Sequence, residues 1–243
     1  MNSQTAKRVA DLTVKIFADG ADKTGMLEMA SKSFIKGLTT NPTLMKKAGI
    51  SNYKAFAQEI LLEIKDKPIS FEVFSDDFSE MEKQADEIAG WGENVYVKIP
   101  ITNTKREGAY ELIGRLASRN IKLNVTAIMT LDQVRGVVEK LNTKVPSYIS
   151  VFAGRIADTG RDPIPFMTEC VEVMKSNPLS ELIWASPREL LNIFQADAIG
   201  CHVITVTNDV LKKLEIVGKN LDDYSLDTVK MFYHDAVSAG FSI

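Results

Sequence analysis

What most limits the fold of this chain is one alternation, repeated eight times, of a short apolar run and an amphipathic, charge-rich stretch. The runs are VKIFADG (14–20), GLTTNP (37–42), ISFEVF (69–74), VYVKIP (95–100), LNVTAI (123–128), YISVFAG (148–154), LIWASP (182–187) and CHVITVT (201–207). Between them, stretches such as YKAFAQEILLEIKD and SEMEKQADEIAGW space their apolar residues by three and four, as a helix packed on a sheet requires. Strands alternating with helices build parallel βαβ units. Eight such units in 243 residues predict an α/β fold, a (β/α)8 TIM barrel with its core at about 14–215. Periodicity does not report closure, so a doubly wound open sheet is the alternative. SLDTVKMFYHDAVSAG (225–240) reads as an additional C-terminal helix, and no Pro/Gly/Ser-rich linker divides the chain, so 1–243 reads as a single domain.

Several function classes find no support. A net charge of −3 gives no electrostatic reason to expect nucleic acid or an anionic membrane as partner. No apolar stretch is long enough to span a bilayer, and MNSQTAKRVADLTVKIF lacks the uninterrupted apolar core of a signal peptide. Cys170 and Cys201 have no framework spacing and lie in apolar surroundings, as reduced core residues of a cytoplasmic protein would. With His202 and His234 the only histidines and no Cys cluster, no metal is expected. No glycine-rich phosphate loop of either common type is present, so no nucleotide cofactor is expected.

Polar residues recur where strands should be apolar. Residues two apart on a strand share a face. On one parity stand Asp19, then Thr39 with Asn41, Ser70 with Glu72, Tyr96 with Lys98, Asn124 with Thr126, and Ser150 with Phe152. The other parity (Val73, Val95, Val97, Ile99, Val125, Ile149, Val151) is apolar, as a helix-facing side should be. Individually these residues have ordinary readings: Asp19 a cap, Thr-Asn-Pro a turn, Glu72 and Lys98 a structural ion pair. Together they place polar groups toward one end of six consecutive strands, and barrel enzymes react at the carboxyl ends of their strands. A polar network of that size stabilises a barrel less well than apolar filling, which favours a site.

Lys98 in VYVKIP suggests the chemistry. A lysine among carboxylates, amides and hydroxyls, with no metal or phosphate motif, suggests amine nucleophilic catalysis. An ordinary lysine has a pKa of about 10.4, and burial disfavours the charged form. A neutral amine adds to a ketone, loses water and becomes an iminium ion that draws electrons from the adjacent carbon–carbon bond. Two proton carriers are then needed, and Glu72 and Asp19 are the candidates.

These segments resemble the transaldolase family. The resemblance is carried by ADGAD with Asp19, GLTTNPTL with Thr39 and Asn41, and ISFEV with Glu72. It continues through VYVKIP with Lys98, LNVTAI with Asn124 and Thr126, YISVFAGRI with Ser150, Phe152 and Arg155, and WASPRE with Ser186 and Arg188. The resemblance implies a class I aldol mechanism without cofactor, moving a dihydroxyacetone unit from a ketose phosphate to an aldose phosphate, with Lys98 forming the Schiff base. It implies that Asp19 deprotonates the donor hydroxyl and that Glu72, through a water, carries protons during carbinolamine dehydration. Thr39, Asn41, Asn124, Thr126, Ser150 and Phe152 would then line the substrate site, and Arg155, Ser186 and Arg188 the phosphate cradle. The related fructose 6-phosphate aldolases carry glutamine and tyrosine where Glu72 and Phe152 stand, so transfer is implied over simple cleavage. Departures are D-G-A-D at the first motif, Val151 where many members have proline, and an eighth run without its common proline. A homo-oligomer is also implied: compact members form rings, with a decamer among the forms, in which the last helix crosses to a neighbour. A lyase of the aldolase branch, an enzyme of a specialised sugar pathway, and a barrel kept for binding are the other readings.

Overall fold

The computed structural model describes residues 7–243. Residues 1–6, which the single-domain reading includes, lie outside the described residues. The strands are β1 (Lys15–Asp19), β2 (Ile35–Thr39), β3 (Ile69–Glu72), β4 (Val95–Pro100), β5 (Leu123–Ile128), β6 (Ser147–Val151), β7 (Ser180–Trp184) and β8 (Val203–Thr207). Each pairs in parallel with the next, and β8 pairs with β1, so the sheet closes into an eight-stranded barrel. Closure excludes the open-sheet alternative. Five helices lie in the first half: α1 (Lys23–Ser31), α2 (Pro42–Lys47), α3 (Tyr53–Glu63), α4 (Phe78–Ala89) and α5 (Tyr110–Ser118). The second half carries α6 (Leu131–Lys140), α7 (Ala153–Asp158), α8 (Pro163–Met174), α9 (Leu191–Ala198), α10 (Asn208–Leu211) and α11 (Leu221–Ser238).

Two separate apolar cores follow from the alternation of side chains. The larger lies between sheet and helices and contains every residue of the parity assigned to that side, from Val73 and Val95 through Val151. Cys170 and Cys201 are buried there with free thiols. The smaller consists of Phe17, Tyr96, Tyr148, Ile183, Ala185 and Val203, with Phe152 packed against it, and fills the lumen. Tyr148 meets Phe17 edge-on at 5.5 Å between ring centroids and Tyr96 at 4.4 Å. Gly37 makes room for this plug, because a Cβ there would fall 2.5 Å from the Phe17 ring. With the lower lumen filled, side chains at the carboxyl ends of the strands remain open to solvent from one side only.

The predicted terminal helix starts earlier than its apolar pattern suggests. α11 begins at Leu221 because the Asn220 side chain accepts hydrogen bonds from the backbone N–H groups of Asp222 and Asp223. None of its residues is buried, and Tyr224, Val229, Phe232 and Tyr233 are exposed. Among the described residues, no helix is long and apolar enough to cross a membrane.

Asp197, at the end of α9, fastens the chain where the barrel closes. It accepts hydrogen bonds from Thr13 N (2.6 Å), Thr13 Oγ1 (2.9 Å) and Val14 N (3.0 Å), just before β1, and pairs with Lys7. Burial alone would raise its pKa, but these donors outweigh that and hold it at about 2. A carboxyl whose folded pKa lies below its unfolded value stabilises the fold above the unfolded value and stops doing so as pH falls through the folded one. Asp197→Asn should therefore cost roughly 1–2 kcal/mol at pH 7. In urea titrations the difference from the parent should shrink between pH 4 and pH 2; a pH-independent difference would show that the charge is not what holds the seam.

Candidate active site

The carboxyl ends of the strands surround a cleft of about 560 Å³. Lys98 projects into it from β4 and is buried, with 6% of its surface exposed. Its Nζ donates to the carbonyl of Thr40 at 3.1 Å and lies 3.1 Å from Oε2 of Glu72, its register partner on β3. The structural ion pair considered from the sequence is therefore present, and it sits inside the cleft. Glu72 is held from behind: Tyr53 of α3 donates to its carbonyl at 2.8 Å and accepts from its N–H at 2.7 Å. Both backbone groups that end β3 are thus satisfied by one phenol, which leaves the Glu72 side chain as the group that faces the cleft.

Asp19 ends β1 on the same rim, opposite Thr39 of β2 and Thr207 of β8. Its Oδ1 accepts from Thr39 Oγ1 at 2.7 Å. Its pKa is raised, first by burial and further by the Glu72 charge, against the opposing pull of Lys98 and the Thr39 hydroxyl. A carboxyl so placed retains a proton to higher pH than an exposed one.

Asn41 departs from its expected placement. It does not continue the face of Thr39 along β2, because the strand ends at Thr39. It is the N-cap of α2, with its side-chain oxygen accepting from Leu44 N at 3.0 Å, followed by Pro42 in the first turn. The cap bears out the turn reading, and Asn41 also lines the cleft.

On the opposite wall, Asn124 lies beneath the cleft rather than in it. Its Nδ2 donates to Ser70 Oγ at 2.9 Å and its Oδ1 accepts from Ser150 Oγ at 2.7 Å. Ser150 and Thr126 line the cleft, and the Thr126 hydroxyl has no hydrogen-bond partner among the described residues. The β5–β6 register shifts between Val125 and Ile128, and Ala127 there adopts φ 62°. A side chain in the left-handed region costs about 1 kcal/mol, and here it falls within the register shift beside the cleft wall.

The predicted phosphate-binding residues cluster at the mouth. Phe152 is the N-cap residue of α7, and the Arg155 guanidinium lies 5.4 Å above its ring centroid. Arg188 is engaged by a residue that the sequence reading did not include: Asp158, at the end of α7, accepts from Arg188 Nε at 2.9 Å and from its Nη2. That pairing pulls the Asp158 pKa down. Ser186 is left-handed at φ 61°, and a Cβ at Gly154 would lie 1.6 Å from its carbonyl oxygen. The α7 start and the loop after β7 therefore touch backbone to backbone, which brings Arg155 and Arg188 to one rim.

Of the residues expected in catalytic, substrate or phosphate roles, all except Asn124 line the cleft; Ser70 and Tyr96, of the same parity, lie beneath it. Thr205, Tyr53, Thr40 and Asp158 were missed as site residues. Thr205 had a visible signal, a hydroxyl of the right parity in CHVITVT; the other three act through contacts that no strand pattern reports.

Fold and cleft together define a (β/α)8 barrel with a buried lysine, paired to a carboxylate, at the carboxyl ends of its strands. Among solved structures, CdNal from Clostridium difficile in complex with mannosamine matches 92% of this chain and 81% of its own, with TM-score 0.54 and 12% identity. KGPDC from Streptococcus mutans covers 82% of this chain and 90% of its own, at TM-score 0.57 and 8% identity. Likeness at such identity concerns the fold alone. Sequence relatives are nearer. A probable transaldolase of Dehalococcoides mccartyi is 34% identical over 203 residues, 83% of this chain and 90% of that protein. One of Clostridium kluyveri is 36% identical over 202 residues, 83% of this chain and 89% of the relative. The family model described as Transaldolase/Fructose-6-phosphate aldolase matches residues 16–243. This chain belongs to that family.

The closest approach in the site gives a direct check on its packing. Gly154→Ala should destabilise the protein by roughly 1–3 kcal/mol, because backbone, not a flexible side-chain tip, occupies the space. Unchanged thermal unfolding in that variant would contradict the contact between the two loops.

Proposed function

We propose that this protein is a transaldolase: it moves a dihydroxyacetone unit from a ketose phosphate, such as fructose 6-phosphate or sedoheptulose 7-phosphate, to an aldose phosphate. The observation that carries this reading is the Lys98–Glu72 pair within the cleft, 3.1 Å apart, with a second carboxyl, Asp19, on the same rim. Proton transfer from Nζ to Glu72 yields the neutral amine in place. The amine adds to the donor carbonyl carbon, and the resulting carbinolamine loses water as Glu72, through an intervening water, returns a proton. The product is an iminium ion on Lys98.

Asp19 then takes the proton of the hydroxyl on the far carbon of the bond to be broken. That carbon becomes an aldehyde and departs as an aldose phosphate. The electrons of the broken carbon–carbon bond pass into the iminium nitrogen, giving a neutral enamine. The enamine carbon attacks the acceptor aldehyde, the new alkoxide recovers the proton from Asp19, and hydrolysis of the iminium frees the product. Asn41, through its amide NH2, and Ser150 and Thr126, through their hydroxyls, hold the donor hydroxyls and the water. Thr39 lines the same wall, Asn124 supports Ser150 from below, and Phe152 closes the apolar side. No metal or organic cofactor takes part in any step.

Arg155, Ser186 and Arg188 take the phosphate. Guanidinium groups suit phosphate oxygens, and the loops after late barrel strands often bind phosphate. Asp158 holds Arg188 in a fork at the rim, which fixes the guanidinium plane and aims the N–H groups that the fork does not use. The sugar-phosphate chemistry fits the pentose phosphate pathway, and the reading carries with it a cytoplasmic location. Exposed apolar residues around most of α11, among them Tyr224, Val229, Phe232 and Tyr233, support a homo-oligomer, built as rings that can pair into a decamer with α11 crossing to a neighbour.

Product analysis with fructose 6-phosphate, with and without an aldose phosphate acceptor, tests the reading. Transfer predicts turnover that depends on acceptor; free dihydroxyacetone accumulating without one would instead assign the lyase chemistry of the aldolase branch. Arg188→Ala should raise KM for phosphorylated donors roughly tenfold or more and leave unphosphorylated ones unchanged. Equal losses on both would remove the loop after β7 from phosphate binding.

A further inference from the structure

Asp19 has two carboxylate oxygens, and a base that must take one particular proton needs one of them fixed. Oδ1 accepts from Thr39 Oγ1 at 2.7 Å. Thr39 Oγ1 also lies 2.5 Å from Oγ1 of Thr205, on β8. An ionised carboxylate only accepts, and a hydroxyl carries a single proton. With the Thr39 proton committed to Asp19, the proton between the two threonines must come from Thr205. The order is therefore Thr205 to Thr39 to Asp19, with every donor and acceptor matched. That bond is the one hydrogen bond the Thr205 side chain makes among the described residues.

We propose that Thr205 is a positioning residue for Asp19: by donating to Thr39 it fixes Oδ1 as an acceptor and leaves Oδ2 to take the substrate proton. Both threonines are buried and sit on strands, Thr39 at 2% and Thr205 at 6% exposure. Their β-branched side chains are restricted at χ1, so the relay transmits orientation from β8 through β2 to β1. The groups facing Asp19 are the Thr39 hydroxyl from β2, Glu72 from β3 and Lys98 from β4, with Thr205 behind Thr39 on β8. Glu72 favours a protonated Asp19, and Lys98 and the relay favour the ionised base. A donor bonded behind Thr39 strengthens the bond Thr39 makes to the carboxylate.

This inference rests on the transaldolase reading, and the test separates the two. For the parent, Thr205→Val and Thr205→Ser, the pH profile of kcat/KM for donor cleavage is measured beside the yield of imine trapped by borohydride with fructose 6-phosphate. Thr205→Val should trap imine as the parent does. Its kcat/KM should fall roughly tenfold, and the acid limb of its profile should move to higher pH, because the ionised base loses support. Thr205→Ser, which keeps the hydroxyl, should retain the parent profile. A Thr205→Val limb that superimposes on the parent's overturns the inference, as does Thr205→Ser impaired as deeply as Thr205→Val. Should the valine not fold, Thr205→Ala carries the same prediction without added bulk. No trapped imine in the parent overturns the reaction itself and this inference with it; trapped imine with an unmoved limb overturns Thr205 alone.

Discussion

The arrangement depends on one buried ion pair. Lys98 and Glu72 lie on adjacent strands at the same register position, with Nζ and Oε2 3.1 Å apart and both side chains largely removed from water. Taking two charges out of solvent costs several kcal/mol for each, and their attraction returns that only when the remaining donors and acceptors are satisfied. Here the Thr40 carbonyl takes one further Nζ proton and Tyr53 secures the backbone of Glu72. An apolar pair would pack better in this lumen. On the proposed function the pair has a use that an apolar pair would not: it sets a nucleophile beside the group that receives its proton.

The barrel meets that cost by dividing its lumen. Phe17, Tyr96, Tyr148, Ile183 and Val203 close the lower part as a core of their own. The polar residues occupy the layers above, where Ser70, Asn124 and Ser150 form an unbroken hydrogen-bonded chain. Apolar filling below excludes water from one side of Lys98, and the satisfied chain keeps the wall beside it rigid. Stability comes mainly from the sheet–helix layer, which leaves the upper lumen free for chemistry.

Much of this was legible in the residues. Eight apolar runs at βαβ spacing marked the strands, and period-two alternation separated the lumen from the helix side because each strand is buried on both faces. What escaped depended on partners far apart in the chain. Thr205 and Thr39 are separated by 166 positions and Asp158 from Arg188 by 30, and pattern within a strand carries no record of either contact. Asn41 was placed by alternation on a strand that stops two residues earlier; the proline after it, which starts α2, was the better guide. The left-handed Ala127 had no signal at all, since glycine or asparagine is the usual mark of that backbone.

The central claim is that Lys98, and no other lysine, bonds covalently to the donor carbonyl carbon. Reduction with cyanoborohydride in the presence of fructose 6-phosphate, followed by peptide mass mapping, tests it most directly. The account predicts one adduct, on the peptide containing Lys98, and none in Lys98→Met. An unmodified Lys98 peptide, or an adduct that persists in Lys98→Met, would contradict it.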